Sequence, residues 1–374
     1  MAILAATPLT IHFFFQGHLK LFLKTFEVTL ISNKKNDAYL PPLQLPIHEV
    51  SVDIARKISI FQDIKALYQL IILFRKNSFD IFFSVAPKAG FLGMLAAYVS
   101  RIPKRVHIFQ GEVWASKSGP QRWLLKIADR TTAFLATELL AVSNSEKLYL
   151  EKEKIAPAGK IQVLGDGSIC GVDTERFRPN SVIRDEIRKK LAIPLASTVI
   201  IFIGRMVRDK GLTELVDAFE AIATTRPNCF LLFVGPDEDG YAAQALEKLH
   251  QFRQQYCVVG YSNEIEKYLA AADLICLPSY REGFPVVILE AAAMEVPAVG
   301  TEIYGISDAI LDRETGLLCK VKNVPSLIQS LEEIVDDELF RHSLGSAARA
   351  RVQDKYISTV VQSRYQSFFQ DLFK

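Results

Sequence analysis

Short apolar runs alternate with amphipathic segments along most of the chain, and this alternation constrains the fold more than any other feature. In the C-terminal half, the apolar runs cover residues 199–203, 230–234, 257–259, 274–277 and 298–300. Segments with helical spacing of apolar residues lie between them, over 212–223, 242–252, 265–271 and from about 285. Such alternation gives parallel strands joined by right-handed helical crossovers. The pattern therefore predicts an α/β fold.

The N-terminal half repeats the pattern more loosely. We expect strands at 2–6, 27–32, 80–85, 105–109, 138–142 and 160–164, and helices near 18–24, 61–76, 90–99, 121–136 and 145–154. Ser143 can cap the last of these helices. The charged stretch 177–194, with a proline near each end, is interpreted as a linker. The predicted domains are 1–180 and 195–355, two Rossmann-like, doubly wound parallel sheets facing a cleft, with a C-terminal helix at 356–374 crossing back to the first domain.

Composition excludes several classes of protein. A length of 374 residues fits two domains, and 49% hydrophobic with 23% charged residues is typical of a globular chain. The uncharged apolar stretch 89–100 is too short to span a bilayer, and the apolar N-terminus lacks the early Lys or Arg of an export signal. Five scattered cysteines and six isolated histidines predict neither disulfides nor a metal site. We expect a cytoplasmic protein.

Charge is divided unequally between the two halves. Residues 1–190 hold 27 Lys and Arg against 17 Asp and Glu, whereas residues 191–374 hold 17 against 25. A basic N-terminal half suits an anionic lipid surface, a phosphorylated acceptor or nucleic acid. Chance variation in composition is the alternative explanation.

Two loops that follow predicted strands carry the residue types that bind phosphate. The first, 204–211, places Arg205 and Lys210 between Gly204 and Gly211. Two cations in a strand-to-helix turn can hold a diphosphate, Arg as a planar fork and Lys as a point charge. The loop matches neither a Walker A motif nor a G-x-G-x-x-G fingerprint. A solvated basic turn is the alternative.

The second loop, 278–285, leads into an apolar helix. Gly283 lets the backbone approach a ligand, and Pro285 suits the first turn of a helix whose free N–H groups bind phosphate oxygens. Glu282 lies in the loop, and Glu290 lies within the run VVILEAAAM. A carboxylate in such a run is costly unless it is paired or bonded to ligand hydroxyls. A buried salt bridge for Glu290 and an exposed loop acid for Glu282 are the alternatives.

Together these motifs resemble a known family. The chain carries G-R-x(4)-K-G, V-G-P, R-E-G-F-P-x(4)-E-A, G-I-x-D-A-I and T-G-L-L, and its N-terminal half adds F-x-G-E-V-W-A-S-K and V-L-G-x-G-S-I-x-G-V-D. This set resembles the retaining glycosyltransferases of family 4, which have the GT-B fold. The N-terminal motifs are similar to those of the bacterial subgroup that builds capsule, O-antigen and other lipid-linked glycans. The resemblance spans nearly the whole chain.

The resemblance implies a role for each donor-site residue. Arg205 and Lys210, with Glu282, would be catalytic: the cations grip the diphosphate of a nucleotide sugar and stabilise the leaving group, and Glu282 contacts the sugar hydroxyls. Donor binding would involve Gly204 and Gly235 in the turns, the backbone of Gly283, Phe284 and Pro285, and Glu290 at the ribose. The family retains anomeric configuration, and no metal or other cofactor is expected. The acidic triplets 237–239 and 336–338 could suggest a metal site, but the second is interpreted as an exposed loop.

The acceptor side is assigned to the N-terminal half, through Gly17, Gln110, Gly111 and Trp114. Gln110 stands where many family members have His; it cannot act as a base but can bond a sugar hydroxyl. His107 is interpreted as a core histidine. Gly17 stands alone where the family often has a Gly-Gly pair.

Two basic and aromatic stretches, 101–126 and 18–26, suggest peripheral contact with the inner face of the cytoplasmic membrane and a polyprenyl-diphosphate-linked saccharide acceptor. That about half of these aromatics belong to the core is the alternative. Nucleic acid is not expected, because no motif that recognises it accompanies the basic residues.

The sequence thus predicts an enzyme that transfers a hexose or N-acetylhexosamine from a UDP-linked sugar to a lipid-linked saccharide. A UDP-sugar 2-epimerase with the same fold is one alternative, although the chain offers few histidines for acid–base chemistry. A degenerate subunit that binds the donor without activity is the other, and Gln110 favours it.

Overall fold

The computed structural model describes residues 1–34, 43–55, 59–238 and 240–373. The chain forms two compact units, the first made of Met1–Cys170 with Ser358–Lys374 and the second of Gly171–Ile357. The second unit is therefore one continuous segment, whereas the first is completed by residues that follow it.

Each unit is built on a parallel sheet. Among the described residues, the first sheet has seven strands in the order β3-β2-β1-β4-β5-β6-β7 and the second has six in the order β10-β9-β8-β11-β12-β13. The strands are β1 (Ala2–Ala5), β2 (Thr29–Ser32), β3 (His48–Ser51), β4 (Ile81–Val85), β5 (Lys104–Phe109), β6 (Glu138–Ala141), β7 (Ile161–Val163), β8 (Thr198–Ile203), β9 (Cys229–Val234), β10 (Tyr256–Gly260), β11 (Leu274–Leu277), β12 (Ala298–Thr301) and β13 (Gly316–Cys319). The prediction of two Rossmann-like parallel sheets is confirmed.

The α-helices are α1 (Pro8–Thr10), α2 (Gln16–Phe22), α3 (Ile60–Lys76), α4 (Pro87–Val99), α5 (Gly119–Leu135), α6 (Asn144–Lys152), α7 (Ser181–Lys190), α8 (Leu212–Thr225), α9 (Tyr241–Leu246), α10 (Ile265–Ala271), α11 (Val286–Ala293), α12 (Ile306–Ala309), α13 (Val324–Asp336), α14 (Glu338–Lys355) and α15 (Ser358–Asp371). Short 3₁₀ helices cover Val113–Ser116, Arg208–Lys210 and Glu247–Phe252, and a π-helical turn covers Ile11–Phe15. No helix in the described part of the chain is long and apolar enough to cross a membrane.

Both sheets reverse their strand order at one point, and that point positions the site in the second unit. The reversal falls between β8 and β11, which pair in parallel through Leu274 with Ile200 and Ile275 with Ile201. The loops that follow these two strands diverge to helices on opposite faces of the sheet. Ligands of open α/β sheets bind in the crevice left there.

Helix α15 belongs to the first unit and packs against α2. The buried Phe369 ring lies 5.2 Å from Phe22 and 5.0 Å from Phe83, between ring centroids. The Tyr365 ring lies 4.7 Å from His18, edge to face. Buried aromatic pairs of this kind contribute about 0.5–1.5 kcal/mol beyond their burial. The C-terminal helix is therefore part of the first unit's core.

The interpretation of 177–194 as a linker is wrong. This stretch contains α7, which Asn180 caps through its side chain and which packs on α10 within the second unit. Arg188 is buried and donates from Nη2 to Asp273 Oδ2 at 2.8 Å. Charge suggested solvent exposure, but this arginine neutralises a carboxylate and bonds three backbone carbonyls.

Strands β3 and β13 were not predicted. The sequence of β3, HEVS, is polar, and the strand lies at the edge of its sheet with little burial. Strand β13, GLLC, is apolar and largely buried, but it is only four residues long and also lies at an edge of its sheet. Hydrophobic patterning detects strands that are buried on both faces and gives little signal for short edge strands.

Candidate active site

Lys210 and Glu282 form an ion pair at the point where the second sheet reverses its strand order. The loop 204–211 follows β8 and carries Lys210 at the end of the 3₁₀ helix, and the loop 278–285 follows β11 and carries Glu282. Nζ of Lys210 donates to Oε1 of Glu282 at 2.5 Å, and both side chains are largely buried. The structure therefore brings together two of the predicted catalytic residues, which are 72 positions apart in sequence.

A second ion pair of opposite polarity lies beside the first. Nε of Arg281 is 3.4 Å from Oδ2 of Asp209, and the backbone N–H of Tyr280 donates to the carbonyl of Asp209 at 2.9 Å. The loops thus meet along two consecutive residues, Asp209 and Lys210 facing Arg281 and Glu282. Sequence reasoning missed this second pair, although the alternation of charge in Asp-Lys and Arg-Glu was a visible signal.

Tyr280 ties the second loop to the start of α8. Its hydroxyl donates to Oε1 of Glu214 at 2.5 Å, and Lys322 Nζ lies 4.5 Å from the centre of its ring. Burial and the neighbouring Glu214 raise the pKa of Tyr280, so it stays protonated and acts as a donor at neutral pH. Sequence reasoning gave no role to either residue.

Glycines permit the close approach of the loops. Gly211 has a φ of 71°, and a Cβ there would lie 2.1 Å from the carbonyl oxygen of Pro278. Gly235, in the turn after β9, would place a Cβ 1.9 Å from the carbonyl oxygen of Gly204. Real side chains do not tolerate such distances, so both positions require glycine.

Arg205 lies apart from the Lys210–Glu282 pair. Its side chain is 49% exposed, and Nη1 donates to Oε2 of Glu238 at 3.0 Å. Glu238 belongs to the first acidic triplet, whose last member, Asp239, lies outside the described residues. The predicted two-cation clamp is thus not assembled in this structure, since each cation is paired with a different glutamate.

The loop before α11 offers its backbone rather than its side chains. Phe284 is buried, with its ring 5.6 Å from that of Tyr356, and Gly283 and Pro285 are also buried. The helix begins at Val286 with Pro285 as its N-cap. The free N–H groups of the first turn are the polar atoms that this segment can offer to an anion.

Glu290 stands in α11, among buried aliphatic residues. Burial raises the pKa of its carboxyl to about 7; Arg176 lowers that pKa and Glu266 raises it. Arg176 itself is paired with Glu266 at 2.7 Å. In the described part of the chain, no hydrogen bond or ion pair satisfies the Glu290 carboxylate. The alternative of a salt bridge is therefore not seen, and ligand hydroxyls could satisfy this group.

The described residues contain no group of three or more His, Cys, Asp or Glu that could hold a metal ion. The second acidic triplet has structural roles: Asp336 bonds Arg226, and Asp337 caps α14 by accepting from the N–H of Phe340 at 2.8 Å. A small apolar cavity behind α11, lined by Leu289, Ala292 and other residues, includes none of the predicted site residues.

In the first unit, Gln110 and Gly111 follow β5. Nε2 of Gln110 is buried and has no hydrogen-bond partner in the described residues. The N–H of Gly111, by contrast, donates to Oε1 of the buried Glu146 at 2.5 Å, and Oε2 of Glu146 accepts from Val142 N–H. Gln110 can thus still bond a sugar hydroxyl, whereas the N–H of Gly111 is occupied. The spacing of Ser143 and Glu146 is that of a capping box, a signal that could have identified Glu146.

Trp114 was predicted to contact the acceptor, and its burial contradicts this. Its side chain is 1% exposed, and Nε1 donates to Oδ2 of Asp129 at 2.7 Å. Its ring stacks on Tyr149 with 5.4 Å between centroids. Burial raises the pKa of Asp129 to about 6, and the bond from Trp114 lowers it. Trp114 is a core residue, because the 3₁₀ helix that carries it turns the indole inward.

Gly17 lies inside α2 and faces α15. A Cβ at this position would lie 2.3–2.4 Å from the side-chain amide of Gln362. Those atoms are the far end of a flexible side chain that can move aside, so the contact shows where Gly17 lies but does not itself require glycine. His107 is a core histidine, as expected: Nδ1 lies 2.8 Å from Ser84 Oγ, and burial lowers its pKa to about 3.

The basic and aromatic stretches are largely engaged within the first unit. Arg122 and Lys126 both pair with Glu153, and Arg105 donates to the carbonyls of Leu135 and Ile102. In α2, His18, Leu19 and Phe22 are buried. These residues are therefore held within the first unit, whereas Lys20, Arg101 and Trp123 of the same stretches are exposed.

Comparison with known proteins agrees with the fold and the motifs. Residues 183–351 match the family model described as glycosyl transferases group 1. The chain is 29% identical to the capsular polysaccharide biosynthesis glycosyltransferase CapM of Staphylococcus aureus, over 86% of this chain and 85% of CapM. It is 28% identical to the UDP-Gal:alpha-D-GlcNAc-diphosphoundecaprenol alpha-1,3-galactosyltransferase of Escherichia coli, over 76% of this chain and 74% of that enzyme. The structure of Anabaena Alr3699/HepE in complex with UDP-glucose superposes with a TM-score of 0.79 at 16% identity, covering 99% of each chain.

The two parallel Rossmann-like sheets and these matches define an enzyme, a glycosyltransferase with the GT-B fold. Within that class, the segment that matches the model of group 1 glycosyl transferases is 183–351, which lies in the second unit and contains Lys210, Glu282 and Glu290.

Proposed function

We propose that this chain is a retaining glycosyltransferase of family 4 that transfers a hexose or N-acetylhexosamine from a UDP-sugar to a polyprenyl-diphosphate-linked saccharide during the synthesis of capsule, O-antigen or a related surface polysaccharide. The observation that carries the proposal is the junction of Lys210 and Glu282 where the strand order reverses. It puts a cation that can bind phosphate next to a carboxylate that can accept hydrogen bonds from sugar hydroxyls.

The names of the relatives support this choice of substrates. CapM is named for capsular polysaccharide biosynthesis, and the E. coli enzyme is named for a UDP-galactose donor and a diphosphoundecaprenol acceptor. The Anabaena structure is described as a complex with UDP-glucose. A group 1 domain also favours glycosyl transfer over the epimerase alternative.

The donor chemistry follows from the charges of the second unit. Cleavage of a glycosyl phosphate builds negative charge on the departing UDP, and Lys210, Arg205 and the N-terminus of α11 would stabilise it. To do so, Arg205 has to exchange Glu238 for the diphosphate. Glu282 would hold the sugar hydroxyls and Glu290 the ribose hydroxyls.

When the acceptor hydroxyl attacks on the same face from which the leaving group departs, the configuration is retained and only one group is needed to take the proton of that hydroxyl. In that mechanism a diphosphate oxygen accepts the proton, so a pair of carboxylates across the scissile bond is unnecessary. Gln110 would orient a hydroxyl without acting as a base. We propose that no metal ion is required, and we expect transfer to persist in EDTA.

The test is transfer from a panel of UDP-sugars to a polyprenyl-diphosphate saccharide, with wild type and the variants Arg205→Ala, Lys210→Ala and Arg208→Ala. Arg208 is an exposed cation of the same loop with no assigned role, so it is the matched control. We expect the first two variants to lower kcat/KM by about 10²–10³ and the control to lower it by less than about threefold.

Equal losses in all three variants would contradict the assignment, because they would show that only the overall charge of the loop matters. Binding of UDP-sugars by wild type without transfer or hydrolysis would instead support the degenerate subunit. A product with inverted configuration at the anomeric carbon would overturn the retaining mechanism.

A further inference from the structure

The 3₁₀ helix that carries Lys210 has little structure of its own to hold it in place. It is three residues long, Arg208–Lys210, and Gly211 follows it with a φ of 71°. Its backbone bonds run from Lys210 N–H to the carbonyl of Val207 at 3.1 Å and from Gly211 N–H to that of Arg208 at 3.0 Å. Short 3₁₀ helices have poor hydrogen-bond geometry. The position of Lys210 therefore depends on what this helix contacts.

The loop 278–285, by contrast, is fixed to the rest of the second unit. Oγ1 of Thr301 in β12 donates to the carbonyl of Ser279 at 2.5 Å, in a buried contact. The hydroxyl of Tyr280 donates to Oε1 of Glu214 at 2.5 Å, which joins the loop to α8. These two bonds lie on consecutive residues immediately before Arg281. The loop can therefore support the 3₁₀ helix that packs against it.

Asp209 and Arg281 hold the 3₁₀ helix against this support. Nε of Arg281 is 3.4 Å from Oδ2 of Asp209, and the carbonyl of Asp209 accepts from the N–H of Tyr280 at 2.9 Å. The side chains of Arg281 and Asp209 are 22% and 37% exposed, so solvent screens their attraction only in part. An ion pair of this exposure adds little to global stability. Its effect is on position, because its members are the sequence neighbours of Lys210 and Glu282.

The order of the charges makes this contact specific for one alignment of the two segments. Asp209 and Lys210 face Arg281 and Glu282, so both pairs are attractive in the observed alignment. A shift by one residue would put Asp209 opposite Glu282, and a shift in the other direction would put Lys210 opposite Arg281. Either shift brings like charges together, which is destabilising. Two pairs of opposite polarity thus disfavour both neighbouring alignments, which a single pair does not do.

Donor binding makes the Asp209–Arg281 pair more important. A diphosphate that takes the ammonium group of Lys210 breaks its bond to Glu282, because both anions compete for the same cation. Asp209 and Arg281 have no part in the donor chemistry proposed above, so their contact can persist when that bond is lost. A cation that is already in place stabilises the charge of a leaving group best, since no reorganisation is needed as the charge develops.

We propose that Asp209 and Arg281 are positioning residues for glycosyl transfer: they fix the alignment of the two loops and so hold the Lys210 ammonium group where the charge of the diphosphate develops. This inference deepens the proposed function and rests on it, since it assigns Lys210 to the leaving group. Neither Asp209 nor Arg281 touches the donor, and both act through Lys210. Their effect on catalysis therefore exists only while Lys210 is present.

The experiment is a double-mutant cycle on transfer, with Arg281→Gln and Asp209→Asn made in the wild type and in Lys210→Ala. Each substitution removes one charge and keeps a polar side chain. The matched control is Arg349→Gln, which removes a pair of similar length and exposure elsewhere in the second unit. Nη1 of Arg349 lies 3.3 Å from Oε1 of Glu295, and the two side chains are 29% and 47% exposed. Circular dichroism checks that each variant is folded.

In the wild type, Arg281→Gln and Asp209→Asn should each lower kcat/KM about five- to twentyfold, because a small displacement of a catalytic group is costly. In Lys210→Ala, the same substitutions should change kcat/KM by less than about twofold, as should Arg349→Gln in either background. A general loss of structure would lower the rate by the same factor in both backgrounds. Equal factors in the two backgrounds, or no effect in the wild type, would overturn the positioning role.

A second cycle needs no substrate and separates the positioning role from the proposed function. Urea unfolding of Lys210→Ala, Glu282→Gln and the double variant gives the coupling free energy between Lys210 and Glu282. We expect Arg281→Gln to reduce this coupling to less than about half and Arg349→Gln to leave it unchanged. An unchanged coupling in Arg281→Gln would show that Arg281 does not position Lys210. Absence of transfer and hydrolysis in the wild type would instead contradict the proposed function, and the unfolding cycle would still decide the role of Arg281.

Discussion

Lys210 and Glu282 join the side chain proposed for the donor diphosphate to the one proposed for the donor sugar. Their bond has to rearrange when a donor binds, because the diphosphate and the carboxylate compete for the same ammonium group. A partly buried ion pair resists such competition more than an exposed one, since solvent screens it less. Breaking this pair therefore adds a free-energy cost to donor binding, and a complete UDP-sugar, which offers hydroxyls to Glu282, offsets that cost better than UDP alone.

Replacement of Glu282 by Gln should separate affinity for UDP from activity. Removal of the competing charge should tighten UDP binding about three- to tenfold, while the weaker hydrogen-bond acceptor that a neutral amide offers to the sugar hydroxyls should lower kcat/KM for transfer by about tenfold or more. Calorimetry with UDP and a transfer assay measure the two effects. Glu264→Gln is the control, because it removes an exposed Glu–Lys pair elsewhere in the second unit. Weaker UDP binding in the Glu282 variant would contradict the competition.

At the scale of single residues, the sequence was informative where chemistry requires a particular residue type. Lys210 and Glu282 were predicted because charged residues in loops that follow strands stand out from the apolar runs around them. Glu290 was predicted because a carboxylate within an apolar helix costs free energy unless a partner satisfies it. Trp114 was misassigned because the sequence does not show on which side of a short 3₁₀ helix an indole lies. The Arg205–Glu238 pair was not predicted either, since the loops after β8 and β9 meet only in the folded unit.

At the scale of elements, the contact between α2 and α15 offers a second explanation for Gly17, namely packing between helices instead of contact with the acceptor. The sequence predicts contact between Gly17 and the acceptor, and the structure shows the Gln362 amide against it. These explanations differ in what an alanine at position 17 should do. The Gln362 side chain can make room for a methyl group, whereas a ligand held against the glycine cannot.

Gly17→Ala should change the stability of the protein by less than about 1 kcal/mol, because the Gln362 amide can move away from the added methyl and alanine favours a helix over glycine. If Gly17 has no ligand contact, the transfer activity of Gly17→Ala should also stay near that of the wild type. Urea unfolding and the transfer assay measure the two quantities, and Gln362→Ala alone is the control. Wild-type stability with a loss of activity would show that Gly17 contacts a ligand.

Elements were predicted well where they are buried and poorly where they are polar. Eleven of the strands among the described residues coincide with apolar runs of the sequence, but β3 is a polar edge strand. Helix α7 was mistaken for a linker because charged residues cover most of it. Its amphipathic spacing, with Ile187 and Arg188 buried, was present in the sequence but was outweighed by the charge.

At the scale of the whole molecule, buried histidines should make the stability depend on acid. Burial lowers the pKa of His18 to about 4 and that of His107 to about 3. The unfolded chain binds protons at these groups below about pH 6.5, whereas the folded chain does not. The contribution of these two histidines to stability is therefore full above pH 6.5 and falls as the pH drops toward 4, whereas the raised pKa values of Glu290 and Asp129 act in the opposite direction.

His18→Gln should flatten this dependence while it keeps a donor for the carbonyl of Ile169, which lies 2.7 Å from Nε2 in the wild type. Between pH 7 and 4.5, wild type should lose up to about 3 kcal/mol more than the variant. Urea unfolding at both pH values measures the difference. Equal losses in the two proteins would show that His18 is protonated in the folded state.

The division of charge was visible in the sequence, which also predicts a C-terminal helix at 356–374 that crosses back to the first domain. The excess of positive charge belongs to a unit that includes residues 358–374, because helix α15 supplies Phe369 and Tyr365 to the core of the first unit. The Phe369–Phe22 and Tyr365–His18 contacts that hold this helix on the first unit join residues more than 300 positions apart and leave no periodic signal in the sequence.

The return of α15 to the first unit has a consequence for biosynthesis. A ribosome releases the residues of α15 only after it has made the entire second unit, which is one uninterrupted segment and can fold as soon as it emerges. Until then, Phe22, Phe83 and His18 lack the aromatic rings that cover them. The nascent first unit is therefore vulnerable to proteases and chaperone capture until translation passes Phe369. A message truncated before Ser358 would yield a chain whose second unit is folded and whose first unit has an uncovered core.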